Sequence, residues 1–253
     1  MKTLAVIPAR LGASRLPRKP LRLLAGLPLV VRVWQRVESL GLAERCVIAT
    51  DSEEVAEAVR PHGAEVVLTS ASHPSGTDRV AEVAARSEFR SFEAIINVQG
   101  DEPFVSRSSL RGAVSQVTSG NFPLGTAAAR ANDAILDEPN IVKVVAADDG
   151  RAMYFSRAAI PFLRDVAEAP LRTTHVWQHI GVYAYGRAAL AQWVSLPPHP
   201  LERIERLEQL RPLAAGLAMG VALVDEMPGI GIDTDDDLRR ANADWNAFEE
   251  RTR

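Results

Sequence analysis

The stretch Val6–Lys19, VIPARLGASRLPRK, leads from an apolar strand into a loop of small and cationic residues. Thr3–Ile7 predicts a buried parallel strand, and the small residues that follow allow backbone N–H groups to approach an anion closely. The loop also carries four positive charges, on Arg10, Arg15, Arg18 and Lys19. Fixed N–H donors beside cations suit a triphosphate, so this loop is the first candidate for a nucleotide site.

The loop differs from two common phosphate-binding patterns. Pro20 follows Lys19, so the P-loop pattern G-x-x-x-x-G-K-[ST] is absent, and no G-x-G-x-x-G opens a helix after the strand. The alternative interpretation is a solvated basic turn, because runs of charge usually face water.

Composition limits the classes of partner. The 253 residues are 47% hydrophobic and hold 29 Lys+Arg against 32 Asp+Glu, a formal charge of -3. We expect no nucleic-acid partner, because no general cationic field is present. No apolar run approaches the ~18 residues of a membrane span, and the first strand begins too early for a signal peptide, so we expect a cytoplasmic protein without a membrane partner. Cys46 is the only cysteine, which excludes an internal disulfide and a cysteine-built zinc site.

The first hundred residues alternate between strands and helices. A helix is predicted over Pro28–Leu40 with Gly41 as its cap, and a second helix begins after Asp51 or Ser52. Further strands are predicted at Arg45–Ala49, Glu65–Thr69 and Ala94–Val98. This alternation predicts an α/β fold with a doubly wound, mainly parallel nucleotide-binding sheet and ligands at the carboxyl ends of its strands.

The pattern changes after about Ser106. The sequence then predicts helices over Arg107–Thr118, Leu201–Leu213 and from about Asp235, with strands at Leu124–Arg130, Ile141–Ala147, Arg151–Ser156, around His179 and at Val221–Val224. Asp148–Gly150 is typical of a hairpin turn. We therefore expect one domain over 1–253: a core over about 1–125, a smaller mixed or antiparallel extension over about 126–220, and a return to the core over about 221–253. Residues 164–174 are predicted to be a mobile insertion.

Several polar residues stand where strands end or helices begin. Ser75 and Gly76 precede an amphipathic helix with Arg79 in its first turn, which suits a phosphate or ribose, although Thr77 could be an ordinary cap. A cation there opposes the helix dipole and indicates another role.

Two carboxylates are candidates for a metal site. Asp101 directly follows a predicted central strand and is the primary candidate, with an Asx turn or a helix cap as the alternative. Asp233, just before the last helix, is the candidate for a second ligand facing it. Asp235–Asp237 is interpreted as helix capping.

The second half holds further polar candidates. His179 and Tyr183 lie on one face of a predicted strand, where semi-buried packing is the alternative to ligand binding. Glu208 and Gln209 lie on a charged amphipathic helix, where a solvated face is the alternative.

The strings PARLGASRLPRKPL, SGTDRVAEV, NVQGDEPF, NIVKVV, YFSRAAIPF, HIGVYAYG, LEQLR and GIGIDTDDDL occur in this order. Together they closely resemble the 3-deoxy-manno-octulosonate (Kdo) cytidylyltransferases, the CMP-Kdo synthetases, over nearly the whole chain. The resemblance implies that the anomeric hydroxyl of an acid sugar attacks the α-phosphorus of CTP and releases pyrophosphate. It also implies Mg²⁺ as cofactor, and a homodimer whose sugar-binding and dimer contacts lie in the extension.

The resemblance also implies roles for particular residues. Arg10, Ser14 and Lys19 would hold the triphosphate, and Asp101 and Asp233 would bind Mg²⁺; the catalytic set is then Arg10, Lys19, Asp101 and Asp233. The nucleotide site would further include Ala9, Ser75, Gly76, Arg79 and Gln99. The acid sugar would be bound by Arg157, His179, Tyr183, Glu208 and Gln209, with Arg157 meeting its carboxylate in a bidentate contact.

The sequence departs from the family pattern in two places. Arg18 stands where the family usually has glycine, and Ala214–Val221 replaces a stretch usually richer in aromatic and charged residues. Three alternatives therefore stay open: the same reaction on 8-amino-Kdo or a sialic-type acid, a nucleotide-sugar glycosyltransferase, and a silent nucleotide-binding regulator.

Overall fold

The structure is a computed structural model that describes residues 1–12, 16–226, 229 and 231–252. The chain forms two compact units, Met1–Val105 with Gly229–Arg253, and Ser106–Pro228. The functional divisions expected near residues 125 and 220 do not coincide with these bounds, and they stay a prediction.

The first unit contains a parallel sheet. Its elements before the second unit are β1 (Thr3–Ala9), β2 (Leu23–Leu24), β3 (Leu27–Pro28), α1 (Leu29–Leu40), β4 (Arg45–Thr50), α2 (Glu53–Val59), β5 (Glu65–Leu68), α3 (Gly76–Ala85) and β6 (Ala94–Val98). β1 lies between β4 and β6, β5 continues the sheet beyond β4, and these three pairings are parallel. All of β6 and nearly all of β1 are buried, as expected for strands covered on both faces.

The ends of the early helices follow local rules. Gly41 ends α1 in a left-handed conformation with φ 61°, which glycine adopts without a side-chain clash. Ser52 caps α2 by accepting a hydrogen bond of 3.3 Å from the backbone N–H of Val55. These predicted elements are confirmed, with bounds that move by one or two residues.

The second unit is mixed. It contains α4 (Arg107–Thr118), β7 (Leu124–Arg130), β8 (Lys143–Ala146), β9 (Ala152–Ser156), α5 (Ala169–Thr173), β10 (Trp177–Gly186), α6 (Arg187–Ser195), α7 (Pro200–Glu205), α8 (Leu210–Ala214) and β11 (Met219–Val224). β7 is antiparallel to β10 and parallel to β11, while β8 is antiparallel to β9 and β10. α4 packs on β7, β10 and β11. α4 and β7 match the predicted ranges, and the hairpin turn between β8 and β9 is confirmed.

The chain then returns to the first unit with α9 (Asp235–Thr252). Asp237 accepts a 2.9 Å hydrogen bond from the Thr234 backbone N–H, and its own N–H donates to the Thr234 hydroxyl at 3.1 Å. These reciprocal hydrogen bonds cap the N-terminus of α9, which confirms the capping role predicted for Asp237. Trp245 packs against Phe104, with a ring centroid separation of 5.7 Å.

One predicted helix was wrong. Leu201–Leu213 is not continuous, because Arg206 adopts a left-handed conformation with φ 56° that separates α7 from α8. The helix α6 was not predicted from the sequence. The predicted insertion at 164–174 contains a short 3-10 turn and α5.

Candidate active site

Three charged side chains converge in the first unit at the carboxyl end of its sheet. Lys19 follows the loop after β1, Asp101 follows β6, and Asp233 precedes α9. The Lys19 ammonium contacts Oδ2 of Asp101 and lies 2.7 Å from Oδ1 of Asp233. The Ile232 N–H donates to the Asp101 carbonyl at 3.0 Å, which ties the two acidic segments together. Asp101 and Asp233, which are 82 and 214 positions from Lys19 in the sequence, thus share this lysine as their cationic partner.

The surroundings set the protonation of this group. Burial by itself lowers the pKa of Lys19, but the charges and hydrogen bonds of Asp101 and Asp233 outweigh it and raise that pKa. Burial, together with the charges of Asp101 and Asp233, raises the pKa of Glu102 to about 8. Both effects favour the protonated form of Glu102. Gly231 lies against this carboxyl group, because a Cβ there would be 2.9 Å from Glu102 Oε1.

The donor set suits a hard divalent cation. Within the described ranges, no group of three or more His, Cys, Asp or Glu side chains is arranged to hold a metal ion. Mg²⁺, however, is commonly bound by one or two carboxylates together with water and substrate phosphates. Asp101 and Asp233 come from separate segments of the chain, yet both contact the Lys19 ammonium, so their carboxylates are close enough to fit that type of site.

Backbone and side chains also meet around Pro8. A Cβ on Gly100 would lie 2.8 Å from the Pro8 carbonyl oxygen and 3.9 Å from Ala9 Cβ, so the chain after β6 runs close to the end of β1. A Cβ on Gly76 would lie 3.4 Å from Pro8 Cγ and 3.9 Å from Gln99 Oε1. The structure therefore brings Ala9, Gly76 and Gln99 together, as expected for residues of one nucleotide site.

The start of α3 contributes to the same region. Ser75, rather than Thr77, caps the helix and accepts a 3.3 Å hydrogen bond from the Asp78 N–H. Arg79 is 3% exposed, contacts the Thr69 hydroxyl and lies 3.4 Å from Oδ1 of Asp51. This carboxylate explains how a cation is accommodated in the first turn of a helix. Sequence reasoning missed Thr69 and Asp51 as partners, although both directly follow strands of the sheet.

The first loop is described only in part. Arg10 is exposed, and Ser14 lies outside the described residues. Arg18 has φ 57° and ψ 32°, and its guanidinium contacts Glu54. A left-handed conformation favours glycine, which explains why the family usually has glycine at this position. Here an arginine adopts that conformation, and its exposed side chain contacts Glu54.

In the second unit, Arg157 is held by backbone carbonyl groups. Its Nε donates to the Glu205 carbonyl at 2.8 Å, and its Nη1 donates to the Pro139 carbonyl at 2.9 Å. The Glu205 carboxylate in turn accepts from the Arg157 backbone N–H at 3.0 Å. The guanidinium thus has a fixed orientation before any carboxylate meets it.

His179 is positioned by a residue that sequence reasoning missed. The Thr126 hydroxyl donates to the Val182 carbonyl at 2.8 Å and lies 3.0 Å from His179 Nε2. A hydroxyl has one proton to donate, so its oxygen accepts from Nε2–H and the network assigns the ring proton to Nε2. Burial lowers the pKa of His179 to about 3, so the ring is neutral. A lone threonine in the run LGTAAAR was the available signal.

Aromatic rings surround this histidine. The centroids of Phe155 and Tyr183 lie 4.8 Å and 5.5 Å from the His179 ring. Burial also raises the pKa of Tyr183 well above its ordinary value, so its phenol stays protonated. The strand β10 shifts register between Ile180 and Tyr183, which a regular alternation does not predict.

Glu208 and Gln209 lie in the segment between α7 and α8. Gln209 is only 2% exposed, and its Nε2 has no hydrogen-bond partner among the described residues. A buried amide donor that lacks a partner is uncommon and needs an explanation. For Gln209, the alternative of a solvated helix face is therefore wrong.

Comparison with known proteins agrees with the family resemblance of the sequence. The Cytidylyltransferase family matches residues 4–220. A 3-deoxy-manno-octulosonate cytidylyltransferase of Gemmatimonas aurantiaca is 66% identical over 98% of this chain and 96% of that protein. The chain belongs to the 3-deoxy-manno-octulosonate cytidylyltransferase family. The resemblance drawn from the sequence is thereby confirmed.

Solved structures confirm the predicted α/β fold class of this cytidylyltransferase. A CMP:2-keto-3-deoxy-manno-octonic acid synthetase complexed with CTP is 34% identical, with a TM-score of 0.90 over 98% of this chain and 99% of the other. A 4-diphosphocytidyl-2C-methyl-D-erythritol synthase from Anaerococcus prevotii shares the fold at 14% identity and a TM-score of 0.62, over 97% of this chain and 99% of that chain. None of the described helices combines the length and apolar character that a membrane span needs.

Proposed function

We propose that this cytidylyltransferase transfers CMP from CTP to the anomeric hydroxyl of Kdo and releases pyrophosphate, supplying CMP-Kdo for lipopolysaccharide synthesis. The observation that carries the proposal is the convergence of Lys19, Asp101 and Asp233 at the carboxyl end of a parallel sheet. The name of the Gemmatimonas relative and the CTP complex of the solved synthetase support the choice of nucleotide and sugar.

Nucleotide binding belongs to the first unit. Transfer at phosphorus depends on positioning and on charge neutralisation more than on covalent help from the protein. Arg10, Ser14 and Lys19 are proposed to hold the triphosphate and to stabilise pyrophosphate as it leaves. The cytidine part of CTP is proposed to bind residues that lie around Pro8 or at the start of α3. These residues are Ala9, Ser75, Gly76, Arg79 and Gln99.

Asp101 and Asp233 would hold Mg²⁺. The ion would supply positive charge at the phosphate oxygens and lower the pKa of the attacking hydroxyl. Lys19, which contacts both carboxylates in this structure, is placed to exchange those contacts for phosphate oxygens when nucleotide and metal arrive together.

Sugar binding belongs to the second unit. Arg157 is proposed to meet the sugar carboxylate, with its guanidinium already oriented by the Glu205 and Pro139 carbonyls. With the proton of His179 on Nε2, its Nδ1 is an acceptor for a sugar hydroxyl. Tyr183 and Gln209 offer neutral donors, and Glu208 offers a carboxylate acceptor.

We also propose that the protein works as a cytoplasmic homodimer. The second unit exposes large apolar side chains, of which Phe162, Val166 and Ile204 are 83%, 81% and 77% exposed. Exposed apolar surface commonly marks an interface, and two-fold dimers are the commonest oligomers. Analytical ultracentrifugation should find a dimer, and a monomer at micromolar concentration would contradict this part of the proposal.

The reaction is tested by pyrophosphate release with Mg²⁺ and CTP, in parallel with Kdo, 8-amino-Kdo, a sialic acid or no sugar. Release with Kdo alone is expected. Release only with another acid sugar would keep the reaction and change the substrate. Silence in every sample would favour the glycosyltransferase or regulator alternatives, since a glycosyltransferase does not release pyrophosphate from CTP.

The path of transfer has its own test. Direct attack by the sugar hydroxyl inverts the configuration at a chirally labelled α-phosphorus, and inversion is the expected result. Retention would indicate two displacements and hence a covalent enzyme intermediate.

A further inference from the structure

Lys143 is a buried cation in the second unit that the proposed reaction does not use. Its side chain is 0% exposed. The ammonium donates to three backbone carbonyls, those of Glu138 at 3.0 Å, Ile141 at 2.7 Å and Arg157 at 2.6 Å. A lysine ammonium has three N–H donors, so these bonds satisfy all of them.

Stability alone does not explain this arrangement. Burial and the nearby positive charge of Arg157 lower the pKa of Lys143, and the smaller effects of the charges of Glu205, Asp137 and Glu138 raise it. Removing an ammonium from water is costly, and the three hydrogen bonds of Lys143 go to neutral carbonyl groups. A group retained at this cost is expected to fix the positions of the groups it binds.

Lysine is also rare in this chain. The 29 Lys+Arg residues include lysine only at Lys2, Lys19 and Lys143. A guanidinium spreads its donors over a planar fork, whereas an ammonium directs three donors from one atom. Three carbonyls that converge on one point therefore suit lysine better than arginine, and the scarcity of lysine in this chain was the sequence signal for this site.

The three carbonyls connect Lys143 to Arg157 by two routes. The first is direct, because Lys143 holds the Arg157 carbonyl at the end of β9. The second runs through the turn between Glu138 and Ile141, whose carbonyls Lys143 also binds. That turn contains Pro139, and the Pro139 carbonyl accepts the hydrogen bond from Arg157 Nη1. Lys143 thus fixes both the backbone of Arg157 and one acceptor of its guanidinium.

We propose that Lys143 is a positioning residue for acid-sugar binding, which orients the Arg157 guanidinium through the Arg157 carbonyl and the Pro139 turn. The inference rests on the proposed function, in which Arg157 meets the sugar carboxylate. Lys143 itself does not touch the substrate. It acts on the affinity for the sugar acid and leaves the affinity for CTP unchanged, because the nucleotide residues lie in the other unit.

The test is a double-mutant cycle in the pyrophosphate assay with Lys143→Met, Arg157→Met and the double variant. Lys143→Met should raise the KM for Kdo about ten-fold and change the KM for CTP by less than about two-fold. In the Arg157→Met background, the same substitution should change the KM for Kdo by less than about two-fold, since its target is gone. Lys2→Met, at an exposed lysine, is the matched control and should match the wild type.

Folding is checked by circular dichroism and thermal unfolding, and Lys143→Gln replaces Lys143→Met if the latter does not fold. An unchanged KM for Kdo in a folded Lys143 variant overturns the inference. An increase in the KM for Kdo that is as large in the Arg157→Met background as in the wild type overturns it as well. Failure of both variants to fold overturns it too, because Lys143 would then serve stability alone. A wild type that releases no pyrophosphate with Kdo refutes the proposed function, which is a separate outcome.

Discussion

Replacing Arg211 with methionine should destabilise the segment that carries Glu208 and Gln209. Glu202 in α7 accepts hydrogen bonds of 2.7 Å from Nε and 2.5 Å from Nη2 of Arg211 in α8. This bidentate pair spans the break at Arg206. Its side chains are 10% exposed for Arg211 and 12% for Glu202, so water screens the pair only weakly.

The size of the effect follows from this burial. Removing one partner of a buried ion pair costs roughly 3–5 kcal/mol, because the other charge stays buried without compensation. The residual exposure of Glu202 places the expected loss near the lower bound, about 3 kcal/mol. In a protein of this size, 1 kcal/mol corresponds to a shift of about 2–4 °C, so the unfolding temperature should fall by about 6–12 °C.

Scanning calorimetry at pH 7 measures the shift, and the pH dependence checks its origin. The hydrogen bond from Arg211 is the main reason that the pKa of Glu202 lies below its ordinary 4.5. A lowered carboxyl pKa adds stability above the ordinary pKa, and this stability is lost as the pH falls through the lowered value. The difference between wild type and Arg211→Met should therefore be full at pH 7 and shrink below pH 4.5.

The double variant Glu202→Met with Arg211→Met provides the control. Replacing both partners with apolar groups leaves no buried charge and should recover at least about half of the lost stability. The reasoning is refuted if Arg211→Met lowers the unfolding temperature by less than about 2 °C. It is also refuted if the double variant is less stable than Arg211→Met alone.

Three further predictions concern the two sites. Asp101→Asn should lower kcat by about 100-fold or more in a variant that stays folded by circular dichroism, and near-normal turnover would remove Asp101 from the metal site. Lys19→Met leaves Asp101 and Asp233 without their shared cation, so added Mg²⁺ should raise its unfolding temperature more than that of the wild type; equal shifts would contradict this. Thr126→Val should raise the KM for Kdo about ten-fold without changing that for CTP, because His179 loses the acceptor that fixes its ring proton; an unchanged KM for Kdo would show that its orientation has another source.

Local elements were predictable where the pattern was strong. Ala94–Val98, Arg107–Thr118 and Leu124–Arg130 have the predicted bounds. An apolar run, a helical period and turn residues act over a few positions, so they are visible in the sequence itself. The helix over Leu201–Leu213 failed because its period continues through Arg206, and no local signal marks the left-handed residue there.

The candidate site was predictable residue by residue but not as an arrangement. Rules for strand ends and helix starts, together with the family resemblance, pointed to Asp101, Asp233 and Ser75 in the sequence. The same rules gave no role to Lys143 or Thr126, because a lysine or threonine within a strand pattern is ordinary until its partners are known.

The sequence alone determined the alternation of strands and helices, the ends of strands at which ligands gather, and the family. Only the tertiary structure decided that Lys19 lies between two carboxylates and that Lys143 binds three carbonyls near Arg157. It also decided that Gln209 is buried with no hydrogen-bond partner for its Nε2 in the part of the chain that the structure describes. Secondary structure depends on neighbours three or four positions away. Charge, burial and hydrogen bonding depend on groups that meet only when the chain has folded.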